Sequence, residues 1–335
     1  MWFYFAVRGE RGRVLLKTQI NLTTTSCDLD RFASQKELLE LLEDDGIELT
    51  CYDEDTRGIV PAGRVRGLHM NCLPYWVEFW RGNLDACIKE YDDRETVCAV
   101  FGGDTREALL DHYRKDLAHA KRYGVEYTVF HVCDGSVEET FTGRSRHTDA
   151  EVIDAAAELL NELFRDVTDG PWLLLENLWY AGLRFTDPEM TARLLDRVKY
   201  PKTGLMLDTG HLLHTRTELK TQEDGVRCIH EMLDRHGSLC RHIKGVHLNQ
   251  SLTGSLIEAT QAHPPVLAPT YAARSEQLFR YVFAVDRHEP FTCAGVKELV
   301  ERIAPEYLTY ELISNDLKEH RALLNAQRAV FSNGL

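Results

Sequence analysis

WLLLENL (172–178), TGLMLDT (203–209) and IKGVHLN (243–249) decide how this chain folds. Each is a short apolar run with one acidic or imidazole side chain near its C-terminal end. A carboxylate or imidazole among leucines and valines is costly unless it is paired or bound to a metal. Five more β-rich runs extend the series: KTQINL (17–22), IELTCY (47–52), VRGLHMN (65–71), EYTVFHV (126–132) and YLTYELI (307–313), which makes eight. Between most of them lie segments of helical periodicity: 30–44, 105–124, 149–164, 226–237, 296–304 and, after the last strand, 315–331. Each parallel strand pair needs a crossover, so eight strands alternating with helices predict an α/β fold, a closed (β/α)8 TIM barrel. No GxGxxG follows the first run, which argues against an open doubly wound sheet.

No linker, low-complexity stretch or fixed repeat divides the 335 residues, so the expectation is one domain spanning 1–335. Two connections exceed ordinary loop length: about 72–125, which carries its own helix, and 250–294. Excursions of that kind often serve as lids or substrate loops. No apolar run approaches the ~20 residues needed to span a bilayer, and MWFYFAV (1–7) gives way to charged RGERGR. The expectation is a cytoplasmic protein with no membrane partner. Nine cysteines without a CxxC pair do not form a disulfide framework. A net charge of −14 gives no broad basic footprint for nucleic acid. Bound dications would nonetheless make a cleft locally positive. Nothing in the composition fixes the oligomeric state.

Seven metal-capable side chains fall at or near the C-terminal ends of the apolar runs: His69, His131, Glu176, Asp208, His211, His247 and Glu311. In a barrel these ends converge on one face, where the active site is built. Any one of them could be a satisfied core or surface group. Six different strands supplying one each, at the same end, point to a metal site.

LMLDTGH (205–211), GVHLNQ (245–250), VDRHEPF (285–291), LLLEN (173–177) and YEL (310–312) together resemble the xylose isomerase-like barrels, and within them the endonuclease IV group. The resemblance runs from about 65 to 313. LDTGH is shared with sugar isomerases and epimerases, whereas HLN followed by VDRH is much more specific, because in the endonuclease IV group that second motif supplies ligands for a third metal. The resemblance implies one metal on His69 and His131, a second on Asp208, His247 and Glu311, with Glu176 bridging, and a third on His211, Asp286 and His288. Mixed imidazole and carboxylate shells suit zinc, or manganese or iron, in up to three ions. Paired ions supply hydroxide near neutral pH and clamp phosphate oxygens. Glu311 and Glu176 are the expected catalytic carboxylates, with Glu311 orienting or deprotonating the attacking water.

Departures from that group bear on the substrate. HLN continues as QSLTG, with Gln250 and no lysine, the stretch to VDRH is long, and MNCLPYW (70–76) replaces a tyrosine-containing loop that enters DNA. Tyr75, Trp76, Phe79 and Trp80 read either as helix packing or as a platform for a bulky ligand. Tyr75, Trp76, Trp80 and Arg287 are therefore the expected substrate contacts. Asn177 and Asn249 come just after ligands and are expected to point away from the site, in supporting roles. The favoured function is a metal-dependent phosphoester hydrolase acting on a compact phosphodiester, such as the nucleotide loop of a cobamide. The alternatives are an abasic-site DNA endonuclease, and a one-metal sugar isomerase or epimerase using Glu176, Asp208, His247 and Glu311.

Overall fold

The computed structural model describes residues 6–9, 12–53 and 55–332. Residues 1–5 of the N-terminal MWFYFAV stretch lie outside the described residues. Eight strands close a barrel: β1 (Lys17–Thr23), β2 (Gly46–Thr50), β3 (Val65–His69), β4 (Tyr127–His131), β5 (Trp172–Glu176), β6 (Thr203–Asp208), β7 (Ile243–Leu248) and β8 (Tyr307–Tyr310). Each pairs in parallel with its sequence neighbours, and β8 pairs with β1. All eight runs read from the sequence are barrel strands, as the α/β barrel expectation requires.

Helices form between the strands where the periodic segments carry start and stop signals. Thr148 and Thr221 each cap a helix, Asp149–Leu163 and Gln222–His236, through reciprocal bonds with Glu151 and Asp224. Gly124, at φ 63°, ends Arg106–Tyr123 in the left-handed conformation that glycine adopts without strain. Boundaries moved where a cap overrode the periodicity. The segment at 30–44 is helical only over Gln35–Leu42, because Ser34 accepts from Glu37 N and starts the helix there. A helix at Pro188–Arg197, started by Asp187 with proline in the first turn, was not among the segments read from periodicity. The β2–β3 connection carries no α-helix among the described residues, only a 3-10 turn at Ala62–Arg64.

Both long connections are helical rather than open loops. The first carries Val77–Trp80, Leu84–Tyr91 and Arg94–Phe101 before its barrel helix, and the second carries Gly254–Ala262 and Tyr271–Val285. They meet each other. Arg274 bonds Asp92 Oδ1 at 2.7 Å and the Glu90 carbonyl at 2.6 Å. Leu278 packs with Val137 and Phe141, placing the second excursion against the loop after β4. No helix among the described residues is long and apolar enough to cross a membrane.

The barrel's interior is layered. Tyr127, Val129, Leu174, Met206 and Tyr307 form an apolar plug within it. Gly67 makes room for that plug: a Cβ there would lie 2.2 Å from the Tyr127 ring. Around the barrel, the helices bury a single large core that reaches from Leu16 to Val330.

One core residue couples this packing to pH. His320, on the C-terminal helix Leu317–Ser332, is buried, and neither ring nitrogen has a hydrogen-bond partner. Burial, with help from Arg31, pushes it from 6.5 down to about 4. Below pH 6.5 the unfolded chain takes up a proton that the native state refuses, so stability falls as pH drops toward 4. The cost at the acid end is roughly 3 kcal/mol. His320→Leu should therefore be nearly neutral at pH ~7 and distinctly stabilising near pH ~4 in urea unfolding. An identical change in midpoint at both pH values would show that His320 does not carry this acid sensitivity.

Candidate metal centre

His69, His131, Glu176 and Asp208 are the last residues of β3, β4, β5 and β6, His247 is last but one in β7, and Glu311 directly follows β8. Strand register sets His131 beside Glu176 and Asp208 beside His247. Glu176 is completely buried. Its Oε2 lies 3.1 Å from Nε2 of both His69 and His131, and its Oε1 lies 3.2 Å from His247 Nδ1. One carboxylate thus presents an oxygen to each of two groups, His69–His131 and Asp208–His247–Glu311. Within each group, Glu176 included, the donor atoms lie within 4.8 Å of one another.

His211, Asp286 and His288 form a third such group. Asp286 Oδ2 is 3.3 Å from His211 Nε2 and 2.9 Å from His288 Nε2. The group adjoins the second, since His211 Nδ1 is 3.6 Å from Asp208 Oδ1. A distant stretch of sequence reaches this place through backbone pairing: Gln250 and Glu289 exchange both backbone hydrogen bonds. Ser251 Oγ then accepts from the backbone N–H of Arg287 and His288. His288 sits at φ 45°, a left-handed conformation that costs a non-glycine residue energy and persists only where the surroundings enforce it.

The rings are held for ligation. His69, His211 and His288 donate Nδ1–H to the carbonyls of Met70, Asn177 and Glu311 at 3.0–3.2 Å, which leaves each Nε2 facing the cluster. A ring nitrogen that donates to a carbonyl fixes the tautomer of the other, as metal ligands require. The carboxylates are braced as well. Asp208 Oδ1 accepts from His211 N at 2.6 Å, and Asn249 Nδ2 donates to Asp208 Oδ2 at 2.8 Å and to Glu311 Oε2 at 3.3 Å. Asn249 therefore points toward the site, contrary to the expectation, because it lies two residues beyond His247 and shares its face. Asn177 does turn aside, pairing with the backbone N–H and carbonyl of Asp208. The glycine of LDTGH follows from Asn249: a Cβ on Gly210 would sit 1.8 Å from its Oδ1.

Among the described residues, no lysine or arginine pairs with Glu176, Asp208, Asp286 or Glu311; their charged partners are all imidazoles. Four buried carboxylates compensated only by histidines are a donor set that fits dications. The proton affinities agree. Burial opposes charge on His131 and His288, but Glu176 and Asp286 respectively outweigh it and lift them to about 10 and about 9. Burial likewise works against the Glu176 and Asp286 carboxylates, yet the adjacent histidines hold both well below the ordinary range. Asp208, buried beside Glu311 and Glu176, is raised to about 7. In the metal-free protein, protons take the place of cations.

The expected substrate contacts fare differently. Trp76 and Trp80 are only 1% and 2% exposed, so they do not form a platform. Their short helix turns inward, with Trp76 Nε1 donating to the Cys133 carbonyl and Trp80 Nε1 to Glu158. The packing reading of this cluster is the right one. Tyr75 is also buried, but its hydroxyl accepts from Arg146 at 3.0 Å, and it lines a cleft of about 330 Å³ between the two excursions that none of the nine ligand candidates touches. Arg287 is exposed and pairs with Glu289. The aromatic ring beside the cluster is Trp179, half-buried, with centroids 5.1 Å from His211 and 4.6 Å from His214. Three participants were not singled out from the sequence. Ser251 and His214 brace the Asp286 segment, and Glu48 of β2 lies 2.8 Å from His247 Nε2. Glu48 carried a usable signal, because strands of a parallel barrel are covered on both faces and a glutamate in mid-strand has no solvent to face.

Fold and donor set together define a (β/α)8 barrel with a metal-type centre at its C-terminal mouth. Residues 84–320 match the family of xylose isomerase-like TIM barrels, and the chain belongs to it. No curated protein matches the sequence. Among solved structures, a D-tagatose 3-epimerase-like protein superposes with a TM-score of 0.53 at 13% identity, covering 94% of this chain and 97% of that one. The IOLI protein with a binding zinc atom gives 0.50 at 12% identity, with 95% and 97% covered. Endonuclease IV from Thermus thermophilus gives 0.47 at 17%, with 95% and 100% covered. For the first two, identities this low show a shared fold alone.

Two outcomes follow from this geometry. Metal uptake must displace protons from histidines such as His131 and His288, so affinity should keep rising with pH through about 7 to 9, well above the 6.5 of a free imidazole. Calorimetry in buffers of different ionisation enthalpy should count the released protons; affinity that levels off above pH ~6.5 would contradict the scheme. Trp80→Ala should destabilise the fold by about 3–5 kcal/mol, as truncation of a buried tryptophan does, rather than act as a binding mutation.

Proposed function

We propose that this protein is a metal-dependent phosphoester hydrolase, with zinc in up to three positions. The observation that carries the reading is the third donor group, His211–Asp286–His288, set against Asp208. An isomerase or epimerase working through Glu176, Asp208, His247 and Glu311 needs one ion, and has no use for a strained His288 and a 36-residue detour that delivers Asp286. Bound dications would supply hydroxide at neutral pH and neutralise charge building on a phosphate.

The chain's own groups divide the remaining work. Glu176, with one oxygen beside His69 and His131 and the other beside His247, would be shared between the first two groups when they hold metal. Glu311, kept ionised by His247 and His288 despite its burial, is placed to orient a water by accepting its hydrogen bond. Its low proton affinity makes positioning its main contribution. Asn249 keeps the Asp208 and Glu311 carboxylates at fixed separation. Arg287, exposed on the rim beside Asp286 and His288, would have to exchange its pairing with Glu289 for a phosphate oxygen to contact substrate.

For the substrate, we favour a compact phosphodiester, such as a cobamide nucleotide loop, over duplex DNA, acted on in the cytoplasm. A charge of −14 opposes a long polyanion. The two helical excursions pack against each other, and half-buried Trp179 beside His211 would offer an apolar contact to a small ligand. The buried Trp76 and Trp80 lend this preference no support.

Metal analysis of the purified protein tests the reading: about three ions per chain are expected, whereas one would favour isomerisation. Glu176→Gln should lose metal and abolish hydrolysis of bis(4-nitrophenyl) phosphate, while Asp286→Asn should remove one ion only. Full phosphodiesterase activity after exhaustive chelation would sink the proposal. Tight, salt-sensitive binding and efficient incision of abasic duplex DNA would shift the substrate to DNA.

A further inference from the structure

Beneath the candidate metal centre lies a carboxylate outside the three donor groups described above, although one of its oxygens lies within 4.8 Å of donor atoms of His69, His247 and Glu311. Glu48 is 2% exposed, in mid-strand of β2, with the apolar plug as its neighbour. Its Oε2 accepts from the Tyr127 hydroxyl at 2.6 Å and from Thr309 Oγ1 at 3.0 Å, two bonds that fix the carboxylate in place. Its Oε1 lies 2.8 Å from His247 Nε2. That contact is off the straight N–H line and does not qualify as a well-aligned hydrogen bond, yet His247 Nε2 is buried with no other partner. His247 is also the odd ring of the five. His69, His211 and His288 rest their Nδ1 on a backbone carbonyl and offer Nε2, whereas His247 turns Nδ1 toward Glu176, Asp208 and Glu311.

We propose that Glu48 is the positioning residue of this centre: it holds the Nε2–H of His247, fixes the Nδ1-ligating tautomer, and adds a negative charge behind the second metal position. The inference rests on the metal reading above. An imidazole buried on the barrel axis has no carbonyl within the strand ladder to receive its distal N–H, since those carbonyls are committed to neighbouring strands. A carboxylate from β2, three strands around the barrel from β7, fills that need. It also makes His247 a better donor, because a partly transferred proton leaves more electron density on Nδ1. Glu48 brings the buried acidic groups around the centre to five, so two or three dications would leave a small net charge there.

Tyr127 and Thr309 extend the chain of contacts outward. The order runs from Tyr127 on β4 and Thr309 on β8, through Glu48 on β2, to His247 on β7, so that four strands spaced around the barrel set the angle of one ring. The glycine at 67 belongs to the same device, since only a residue without a Cβ lets the Tyr127 ring reach inward to Glu48.

Glu48→Gln keeps the volume and removes the charge. Metal affinity is read by competition with a chromogenic chelator, and ligand geometry by the visible spectrum of the cobalt(II)-substituted protein. Glu48→Gln should weaken one class of site by about 10- to 100-fold and shift its cobalt bands, with the other sites unaffected. Tyr127→Phe, which loosens the carboxylate but keeps its charge, should do the same more weakly, and keeps the question open to test should Glu48→Gln fail to fold. Wild-type affinity and an unchanged cobalt spectrum in both variants would overturn the role of Glu48 while leaving the metal reading intact. Failure of the wild-type protein itself to bind zinc or cobalt would overturn both.

Discussion

A carboxylate sealed at the end of an apolar strand is the constraint from which the rest of this molecule follows. Glu176 has no contact with solvent and, among the described residues, no lysine or arginine beside it. Ionised in such a place, it must meet positive charge on both oxygens. The imidazoles of His69, His131 and His247 come to it from three other strands, and this is possible because a closed parallel barrel delivers all its C-terminal ends to one ring. The fold is thus less a container for the centre than a direct way to bring so many short side chains to one carboxylate.

Much of this was legible in the sequence because burial and charge conflict visibly. Glu176 in WLLLEN and Asp208 in LMLD stand out against leucines, and each marks a strand's C-terminal end. Asp286 and His288 are different: nothing local distinguishes VDRH from an exposed turn, and its place depends on backbone pairing between Gln250 and Glu289, a contact between distant residues without a side-chain signature. The link was read from a resemblance of motif. Trp76 and Trp80 misled for the opposite reason, since an aromatic cluster has the same composition whether it faces a ligand or a core. Only the turn of Val77–Trp80 against the loop after β4, with Asp134 accepting from the N–H of Trp76 and Val77, decides between them. Glu48 is less visible in the sequence, because a charged residue between two apolar ones has the same pattern as a solvent-facing position in a sheet with one wet face.

The two excursions obey a related logic. Loops of this length normally stay outside a compact domain unless something offsets the entropy lost in ordering them. Here the offset is mutual packing, Arg274 on Asp92 and Glu90 and Leu278 on Val137 and Phe141, so that each excursion is a wall for the other. The second of them also carries Asp286 and His288 on its return, so the wall and two of the three residues of the third donor group are one continuous piece of chain. Mutations that loosen the wall therefore act on the centre as well as on the rim.

Electrostatics ties the exterior to this interior. With a net charge of −14, the surface field disfavours anions at long range, and screening confines that field to roughly 8 Å at physiological salt. Any anion drawn in must therefore be attracted locally, over distances at which the centre outweighs the surface. With dications in place, the cations held by the neutral imidazoles and the buried carboxylates would leave the cluster close to neutral, in contrast to the acidic exterior. If the proposed phosphodiester is the substrate, it would cross the unfavourable outer field with a single charge, whereas a duplex carries a charge about every 1.7 Å and meets the same field along its whole length. On the proposed function, the acidic exterior and the cation-seeking interior would together favour a substrate that carries few charges, before any side chain of the rim has touched it.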